Sequence, residues 1–321
     1  MAIKAPGYHG LVGFEQNEIV GYPVIGRFGL GHSLLAWARC FIWCSDNCVK
    51  MLAPTWGQIR LGPYIRGEAD KRKYGSLFVS SGYVTGFHRL LYLVLAKRLS
   101  ADKVKCIRAG FRPIAVEFRN DVRANTRFFC EIVGQNSEIR QELMRITRSQ
   151  HVPNEVCRQP FIAVHVRRGD FAMAAGSTSL TSGGSNLRIP LDWFVDMLRA
   201  LRRGLGHTMR AVVFTDGTAS DVDKLLREAD VTLESRKSAI HDILHMARSV
   251  VIISSGSGFS MWGSYLGEVP RICFPGQRKS RVLRGSDVDL EPECLSFGGL
   301  DPRFLSVVKA CCTERGRDAA I

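Results

Sequence analysis

Short apolar runs alternate with amphipathic segments along the second half of the chain. Four- to six-residue apolar runs bounded by turn residues are typical of buried strands, and their alternation with helices is typical of a parallel, doubly wound sheet. The pattern predicts strands at 161–166, 210–215, 250–254 and 271–274, and helices at 190–203, 220–230, 238–248 and 259–266. Pro190 is expected in the first turn of its helix.

The first half has a similar but less regular pattern. An extended apolar stretch at 18–27 leads into a glycine turn and then into a helix that is predicted to begin near Ser33, with Ser33 as its N-cap. A polar helix is predicted at 136–149, and the residues after it interrupt the pattern. We therefore expect an α/β protein with two Rossmann-like, doubly wound domains, 1–155 and 156–321.

Composition narrows the class of protein. The 321 residues are 45% apolar and 23% charged, which excludes wholesale disorder, and 44 basic against 30 acidic residues give a net charge of +14. This surplus favours partners that carry phosphates, or an anionic membrane face. No apolar run reaches the roughly 18 to 20 residues of a membrane span, and the N-terminus lacks the apolar core of a secretory signal. A cytoplasmic location is expected.

Two segments allow more than one interpretation. Cys40, Cys44 and Cys48 recur at helical spacing and are read as packed core thiols rather than a metal site, because no second ligand group follows. The ten cysteines are expected to be reduced. The stretch 87–98 is apolar with basic ends, which predicts a buried helix or, as the alternative, a helix lying on a membrane surface.

The strongest chemical signal follows the strand at 161–166. His165 lies within this strand, and Arg167, Arg168, Gly169 and Asp170 come directly after it. Ligands of doubly wound sheets bind at the carboxyl ends of the strands, and guanidinium groups match phosphate oxygens. The interpretation is a phosphate site in which Asp170 holds one arginine; the alternative is a surface arginine pair.

Polar residues also follow two other predicted strands. Asp216 follows 210–215, either as a ligand of a base or sugar or as a simple turn residue. Small residues at 255–260 precede a helix and predict phosphate binding by the helix N-terminus. The Asp221–Asp223 pair is read as the acidic start of a helix rather than as a metal site. The glycines near position 29 lack the third glycine of a dinucleotide fingerprint, and no P-loop is present.

Four peptides together resemble those of the α1,2- and α1,6-fucosyltransferase superfamily, and they occur in the family order. The sequence FIAVHVRRGDF at 161–171 resembles its His-x-Arg-Arg-x-Asp peptide, and 214–217 resembles its second peptide. The segment 242–263, with its serine-rich turn and Phe-Ser-x-Trp-Gly, is similar to the third. The glycine-rich peptide 26–32 looks like the N-terminal one.

The resemblance implies a GT-B-like architecture, with GDP-fucose held mainly by the second domain. It implies that Arg167 and Asp170 are catalytic, with Arg167 gripping the diphosphate. The remaining donor-binding residues that it implies are Arg27, Gly29, Gly31, His32, His165, Arg168, Asp216, Ser257, Gly258, Phe259 and Ser260.

The expected reaction is an inverting transfer of fucose from GDP-fucose to a glycan acceptor, without a cofactor or metal. An arginine pair and a helix N-terminus would supply the positive field that other enzymes take from a divalent ion. The general base is left open between Asp170 and a donor phosphate oxygen. By resemblance to bacterial relatives, we expect a lipid-linked acceptor, a role in surface polysaccharide synthesis, and peripheral contact with an anionic inner membrane.

Three other functions compete with this one. The donor could be another nucleotide-sugar, since base contacts are not readable from the sequence. A basic nucleic-acid-binding protein is disfavoured, because the basic clusters are dispersed and show no nucleic-acid motif. A non-catalytic relative is disfavoured because the arginine and serine peptides are intact.

Overall fold

The computed structural model of the chain describes residues 19–26, 29–57, 74–101, 104, 113–119, 129–154, 159–169, 171–173, 177–184, 186–235, 237–295 and 299–318. These residues separate into two compact units, one ending at Arg148 and the other beginning at Ser149.

The first unit contains a small parallel sheet. Its elements in chain order are β1 (Ile19–Val24), α1 (Leu30–Asp46), β2 (Lys50–Met51), α2 (Gly86–Leu95), β3 (Lys97–Ser100), β4 (Ile114–Arg119) and α3 (Asn136–Ile146). The strand order is β2-β1-β4-β3, and every pairing is parallel. Helix α2 packs through Tyr92 and Leu93 on one face of the sheet, and α1 packs on β1 and β4.

The close packing of α1 on β1 explains two of the cysteines. A Cβ atom added to Gly21 would lie 2.8 Å from the Cys40 sulfur and closer still to that of Cys44. Both thiols are buried, and burial raises the pKa of Cys40 well above its usual value. The interpretation as core thiols is confirmed for Cys40 and Cys44. It is wrong for Cys48, which is exposed because the helix has already ended at Asp46.

The second unit is built on a larger parallel sheet. Its elements are β5 (Ile162–Val166), β6 (Ala172–Met173), α4 (Ser177–Thr181), β7 (Leu187–Arg188), α5 (Leu191–Leu205), β8 (Ala211–Thr215), a 3-10 turn (Ala219–Val222), α6 (Asp223–Leu226), β9 (Val231–Leu233), α7 (Ala239–Met246), β10 (Val251–Ser254), α8 (Gly258–Gly267), β11 (Arg271–Cys273) and α9 (Pro302–Asp318). The five main strands have the order β9-β8-β5-β10-β11.

Apolar layers cover both faces of this sheet. One layer joins alternate residues of β5, β8 and β10 to α5, α6 and α9, and the other joins the intervening residues to α7 and α8. The chain proceeds from β5 to β8 and β9 and then returns to β10 on the opposite side of β5. The reversal between β5 and β10 is the place where doubly wound sheets bind ligands. The expected doubly wound α/β fold is confirmed.

Several local predictions are corrected. Helix α1 begins at Leu30 and not near Ser33, because Gly29 is the N-cap and the Ser33 hydroxyl donates back to the Gly29 carbonyl. Pro190 precedes α5 as its N-cap instead of lying in the first turn. The predicted helix 220–230 is reduced to a 3-10 turn and α6, followed by the unpredicted strand β9. The acidic start of that segment is confirmed, since Thr218 and Asp221 form a capping box.

Helix α2 is not buried, contrary to the favoured interpretation of 87–98. The inward face offers Tyr92 and Leu93 to the sheet, but Phe87, Leu90 and Val94 lie on the opposite face and are 68%, 55% and 71% exposed. Both faces of α2 are apolar, but the small sheet covers only one of them. Within the described part of the chain, no helix combines the length and apolarity needed to cross a bilayer.

Candidate functional site

A cavity of about 270 Å³ lies at the carboxyl ends of β5 and β8. Its lining combines polar groups with aromatic side chains, which is the usual composition of a site for a small organic ligand. The lining residues are His165, Arg167, Phe214, Thr215, Asp216, Lys237, Ser238, Ala239, Asp242 and Phe259.

Asp216 connects the ends of two neighbouring strands. Its Oδ1 accepts a hydrogen bond of 2.7 Å from the Arg168 backbone N–H, and its Oδ2 lies 3.2 Å from Nη1 of Arg167. The Gly169 backbone also donates to this carboxylate. A Cβ atom at Gly169 would lie 2.6 Å from Oδ2, so this approach requires a glycine.

The surroundings of Asp216 keep its carboxyl group ionised. Burial alone would raise its pKa, but the charge of Arg167 and the two backbone hydrogen bonds outweigh burial and lower it. The sequence predicts that Asp170 holds an arginine here. Asp170 lies outside the described residues, whereas Asp216, from the next strand, makes these contacts.

The Arg167 guanidinium is fixed by aromatic rings as well as by Asp216. Its central carbon lies 5.3 Å from the Phe171 ring centroid and 5.9 Å from that of Phe259, both within the range of cation–π contacts. Such packing restricts the long side chain to one position at the cavity wall, so little conformational entropy is left to lose when an anion binds.

Lys279 is a second cation that interacts with this guanidinium, although it is exposed and is not among the residues that line the cavity. Partial burial and the positive charge of Arg167 lower the pKa of its ammonium group. An anionic ligand at Arg167 would be attracted by this second charge as well.

Arg168 has a different role from its neighbour. The residue is buried, its Nη1 donates to the Ile189 carbonyl at 3.0 Å, and its backbone N–H is bonded to Asp216. Burial lowers the pKa of this guanidinium, with a further contribution from the charge of Arg188. Arg168 thus holds the strand end in place, and it is not among the residues that line the cavity.

His165 is neutral in this environment. Burial and the charge of Arg167 hold its pKa well below the usual value for histidine. The Nδ1 atom lies 2.9 Å from the Ser255 hydroxyl, and the ring stacks on Phe259 with an interplanar angle of 10°. The ring is therefore fixed by one hydrogen bond and one stacking contact across the β5–β10 reversal.

The serine-rich turn after β10 supports the start of α8. The Ser257 side chain caps the helix by accepting from the Phe259 N–H at 3.2 Å. The Ser260 hydroxyl is fully buried and is bonded to the Ser254 hydroxyl and to the Ser257 carbonyl. Ser260 therefore holds the turn together, with its hydroxyl bonded inside the turn.

The remaining predicted site residues fall into two groups. Gly258 is the first residue of α8, next to the cavity residue Phe259. Gly29, Gly31 and His32 belong to the first unit, where Gly29 caps α1 and the other two lie in its first turn. Arg27 lies outside the described residues.

Residues at the start of α7 line the cavity but are absent from the predicted set. They are Lys237, Ser238, Ala239 and Asp242, with Ser238 as the N-cap of the helix. The sequence did place an acidic helix here, but the short strand β9 before it was not predicted. Without β9 in the predicted sheet, the sequence gives no reason to place the start of α7 beside the end of β8.

Comparisons with known proteins complete the description. No family model and no curated protein matches the chain. Among solved structures, the chain is similar to the fucosyltransferase NodZ from Bradyrhizobium, with 14% identity, a TM-score of 0.49, and coverage of 81% of this chain and 96% of that one. It is also similar to POFUT1 crystallised with GDP, with 12% identity, a TM-score of 0.40, and coverage of 80% and 97%. A third similar structure is a UDP-GlcNAc 2-epimerase from Methanocaldococcus jannaschii, with 10% identity, a TM-score of 0.31, and coverage of 93% of this chain and 70% of that one.

The Asp216→Asn variant should lower the free energy of unfolding at pH 7 by about 1–3 kcal/mol, because Arg167 and two backbone donors lose a charged acceptor. The folded-state pKa is depressed, so this stabilisation is present above the unfolded pKa and is lost as pH falls through the folded one. Urea unfolding should therefore show a wild-type advantage that shrinks from pH 7 towards pH 3.

The matched control is Asp223→Asn, which removes an exposed carboxylate paired with Arg227 on one helical turn. Its effect should stay within about 0.5 kcal/mol. Equal effects of the two substitutions at pH 7, or an Asp216→Asn deficit that grows at low pH, would contradict the assigned role of Asp216.

Proposed function

We propose that this protein is an inverting glycosyltransferase that moves fucose from GDP-fucose to a glycan acceptor. The observation that carries the proposal is the fixed Arg167 guanidinium, held by Asp216 and two aromatic rings at the wall of the strand-end cavity. The resemblance of four peptides to fucosyltransferases points to the same chemistry, and three of these peptides supply the residues of this clamp.

Arg167 and Lys279 are the groups suited to a diphosphate. The guanidinium can donate two parallel hydrogen bonds to phosphate oxygens, and the ammonium adds a second positive charge. Both charges are in place before the ligand arrives, so their stabilisation of a leaving diphosphate needs no rearrangement during the reaction. The start of α8, capped by Ser257 next to Phe259, adds the positive end of a helix dipole.

Asp242 is the group suited to the guanine base. The Watson–Crick edge of guanine presents two N–H donors, which a carboxylate can accept together. Asp242 lies in the cavity lining, near the start of α7. Phe214 provides an apolar surface in the same lining, against which a base can pack.

The reaction forms one bond and breaks one. The acceptor oxygen attacks the anomeric carbon of fucose from the face opposite the diphosphate, which inverts that centre. The bond between the anomeric carbon and the phosphate oxygen breaks, and GDP leaves with the bonding electrons to Arg167 and Lys279. The acceptor proton passes to a general base, either Asp170 or a phosphate oxygen of the departing GDP.

The Arg167→Ala variant should lose GDP affinity and lower the transfer rate by about 10² to 10³, because the developing diphosphate charge loses its fixed donor. Arg167→Lys should recover only part of the rate, since an ammonium lacks the paired donors of a guanidinium. Calorimetry with GDP, UDP and ADP, together with a radiolabelled GDP-fucose transfer assay, measures both effects. The wild type should prefer GDP.

Arg227→Ala is the control, because this exposed arginine pairs only with Asp223 among the contacts that the structure gives for it. It should bind GDP as the wild type does. Undiminished GDP binding by a folded Arg167→Ala protein would sink the proposal. Tighter binding of UDP or ADP than of GDP would instead indicate that the donor is a different nucleotide-sugar.

We expect the reaction to proceed without a divalent cation on the diphosphate. Mg²⁺ and Mn²⁺ are the ions that bridge phosphates in metal-dependent transferases, and here Arg167 and Lys279 would occupy that role. Protein passed through a chelating resin should transfer fucose at the same rate with and without either ion. A rate that rises in proportion to bound Mg²⁺ or Mn²⁺ would contradict this part of the proposal.

The proposal also includes a peripheral location at an anionic membrane, where a lipid-linked acceptor for surface polysaccharide would be found. The observation in its favour is the outer face of α2, on which Phe87, Leu90 and Val94 are exposed at helical spacing. A helix whose two faces are both apolar, with only one of them covered by the sheet, is suited to lie in the boundary between headgroups and acyl chains.

Charge around this helix favours an anionic lipid surface as the occupant. Arg89 lies in its first turn and Lys97 and Arg98 follow its end, although Arg89 is bonded to the Ala53 carbonyl and Arg98 is paired with Glu117. Each Lys or Arg near an anionic leaflet contributes about 1 kcal/mol. The net charge of +14 adds a longer-range attraction.

Leu90→Glu and Val94→Glu should each reduce partition onto phosphatidylglycerol vesicles roughly tenfold or more, by removing apolar burial and adding repulsion. Flotation of the full chain measures this effect. Leu295→Glu, at a leucine of the second unit that is similarly exposed, should leave partition unchanged. Wild-type partition that is independent of the salt concentration would contradict the membrane location, and so would no partition at all.

A further inference from the structure

A cluster of two histidines and one carboxylate lies beside the cavity and takes no part in the proposed reaction. Glu234 follows β9, and His241 and His245 lie one turn apart on the same face of α7. Candidate ligand atoms from the three side chains all lie within 4.8 Å of one another. This is the one such group of metal-ligating side chains among the described residues.

The internal contacts of the cluster hold the three groups facing one another. His245 Nδ1 contacts Oε2 of Glu234, and His241 Nε2 lies 4.0 Å from the other carboxylate oxygen. The side chains of all three residues are largely shielded from solvent. The ring of His245 is packed against Phe161 at 5.0 Å and Phe214 at 5.4 Å between centroids, which limits its rotation.

The spacing is close to that of a tetrahedral zinc site. With metal–ligand bonds of about 2.0–2.1 Å, ligand atoms around Zn²⁺ lie about 3.3 Å apart. The Glu234–His245 contact is shorter than this and the Glu234–His241 distance is longer, so small rotations of side chains in opposite senses would equalise them. Two imidazoles and one carboxylate are a common ligand set for zinc, with water in the fourth position.

We propose that Glu234, His241 and His245 bind a zinc ion that fixes the start of α7 against β9 and so positions one wall of the cavity. The same short region carries Lys237, Ser238 and Asp242, which line the cavity, and Phe214 contacts both the cavity and His245. The zinc is a positioning element and is not part of the transfer reaction. Its effect on GDP rests on the proposed function, whereas zinc binding itself does not.

The test is a titration of the metal-stripped full chain with Co²⁺, followed by displacement with Zn²⁺. Wild-type protein should take up one equivalent with the visible d–d absorption of tetrahedral Co²⁺, and Zn²⁺ should remove that absorption. His241→Gln and His245→Gln should each weaken binding at least tenfold, since one of three protein ligands is lost. His207→Gln, at an exposed histidine outside the cluster, should bind as the wild type does.

Folding of the variants is checked by thermal unfolding in the absence of metal. Added Zn²⁺ should raise the Tm of the wild type and of His207→Gln but not that of the cluster variants, because ligands stabilise only the state that binds them. A strong near-ultraviolet sulfur-to-cobalt band that persists in the cluster variants would place the ion on cysteines and overturn the proposal. Failure to bind Co²⁺ would overturn it as well.

The positioning role has its own measurement. Zn²⁺ should tighten GDP binding several-fold in the wild type and leave it unchanged in His245→Gln. Zinc binding without any change in GDP affinity would overturn the positioning role. A chain that binds Co²⁺ at this cluster but binds no GDP at all would refute the proposed function while supporting the zinc site, so the two failures are distinguishable.

Discussion

The ion pair between Asp216 and Arg167 organises the strand-end site, because it joins two neighbouring strands at their carboxyl ends, where doubly wound sheets bind ligands. One carboxylate accepts from the backbone of Arg168 and Gly169 and faces the guanidinium of Arg167. A charge buried at a strand end is costly without such partners. Here each charge neutralises the other, and two aromatic rings pack against the guanidinium of Arg167.

Neighbouring arginines in this peptide carry out different tasks because successive residues beyond a strand point in different directions. Arg168 is buried and bonded to the carbonyl of Ile189, so its charge serves the fold. Arg167 borders the cavity, with Lys279 nearby. The neutral state of His165 follows from its burial and from the positive charge of Arg167 beside it, both of which disfavour a protonated imidazole.

Sequence reasoning predicted the second unit well, because short apolar runs between amphipathic helices encode a parallel sheet directly, as at β5, β8 and β10. It located Arg167 and Asp216 at the ends of two predicted strands but assigned the holding role to Asp170, since pairing across strands is set by register and not by distance along the chain. It missed β9, whose few residues carry no periodicity, and therefore missed Lys237 and Asp242. The prediction that α2 is buried was wrong, because the apolarity of a helix does not show how much surface its neighbours offer for packing.

Helix α7 illustrates how one short element can serve two purposes at once. Asp242 lies in the cavity wall, while His241 and His245 are held against Glu234, which follows the preceding strand β9. A carboxylate discriminates between bases only if its position is fixed to a fraction of an ångström, since a mobile acceptor would adapt to any donor. An apolar face of this eight-residue helix is buried, with Ile240, Ile243, Leu244 and Met246. The contacts of the two histidines with Glu234, Phe161 and Phe214 restrain the helix further.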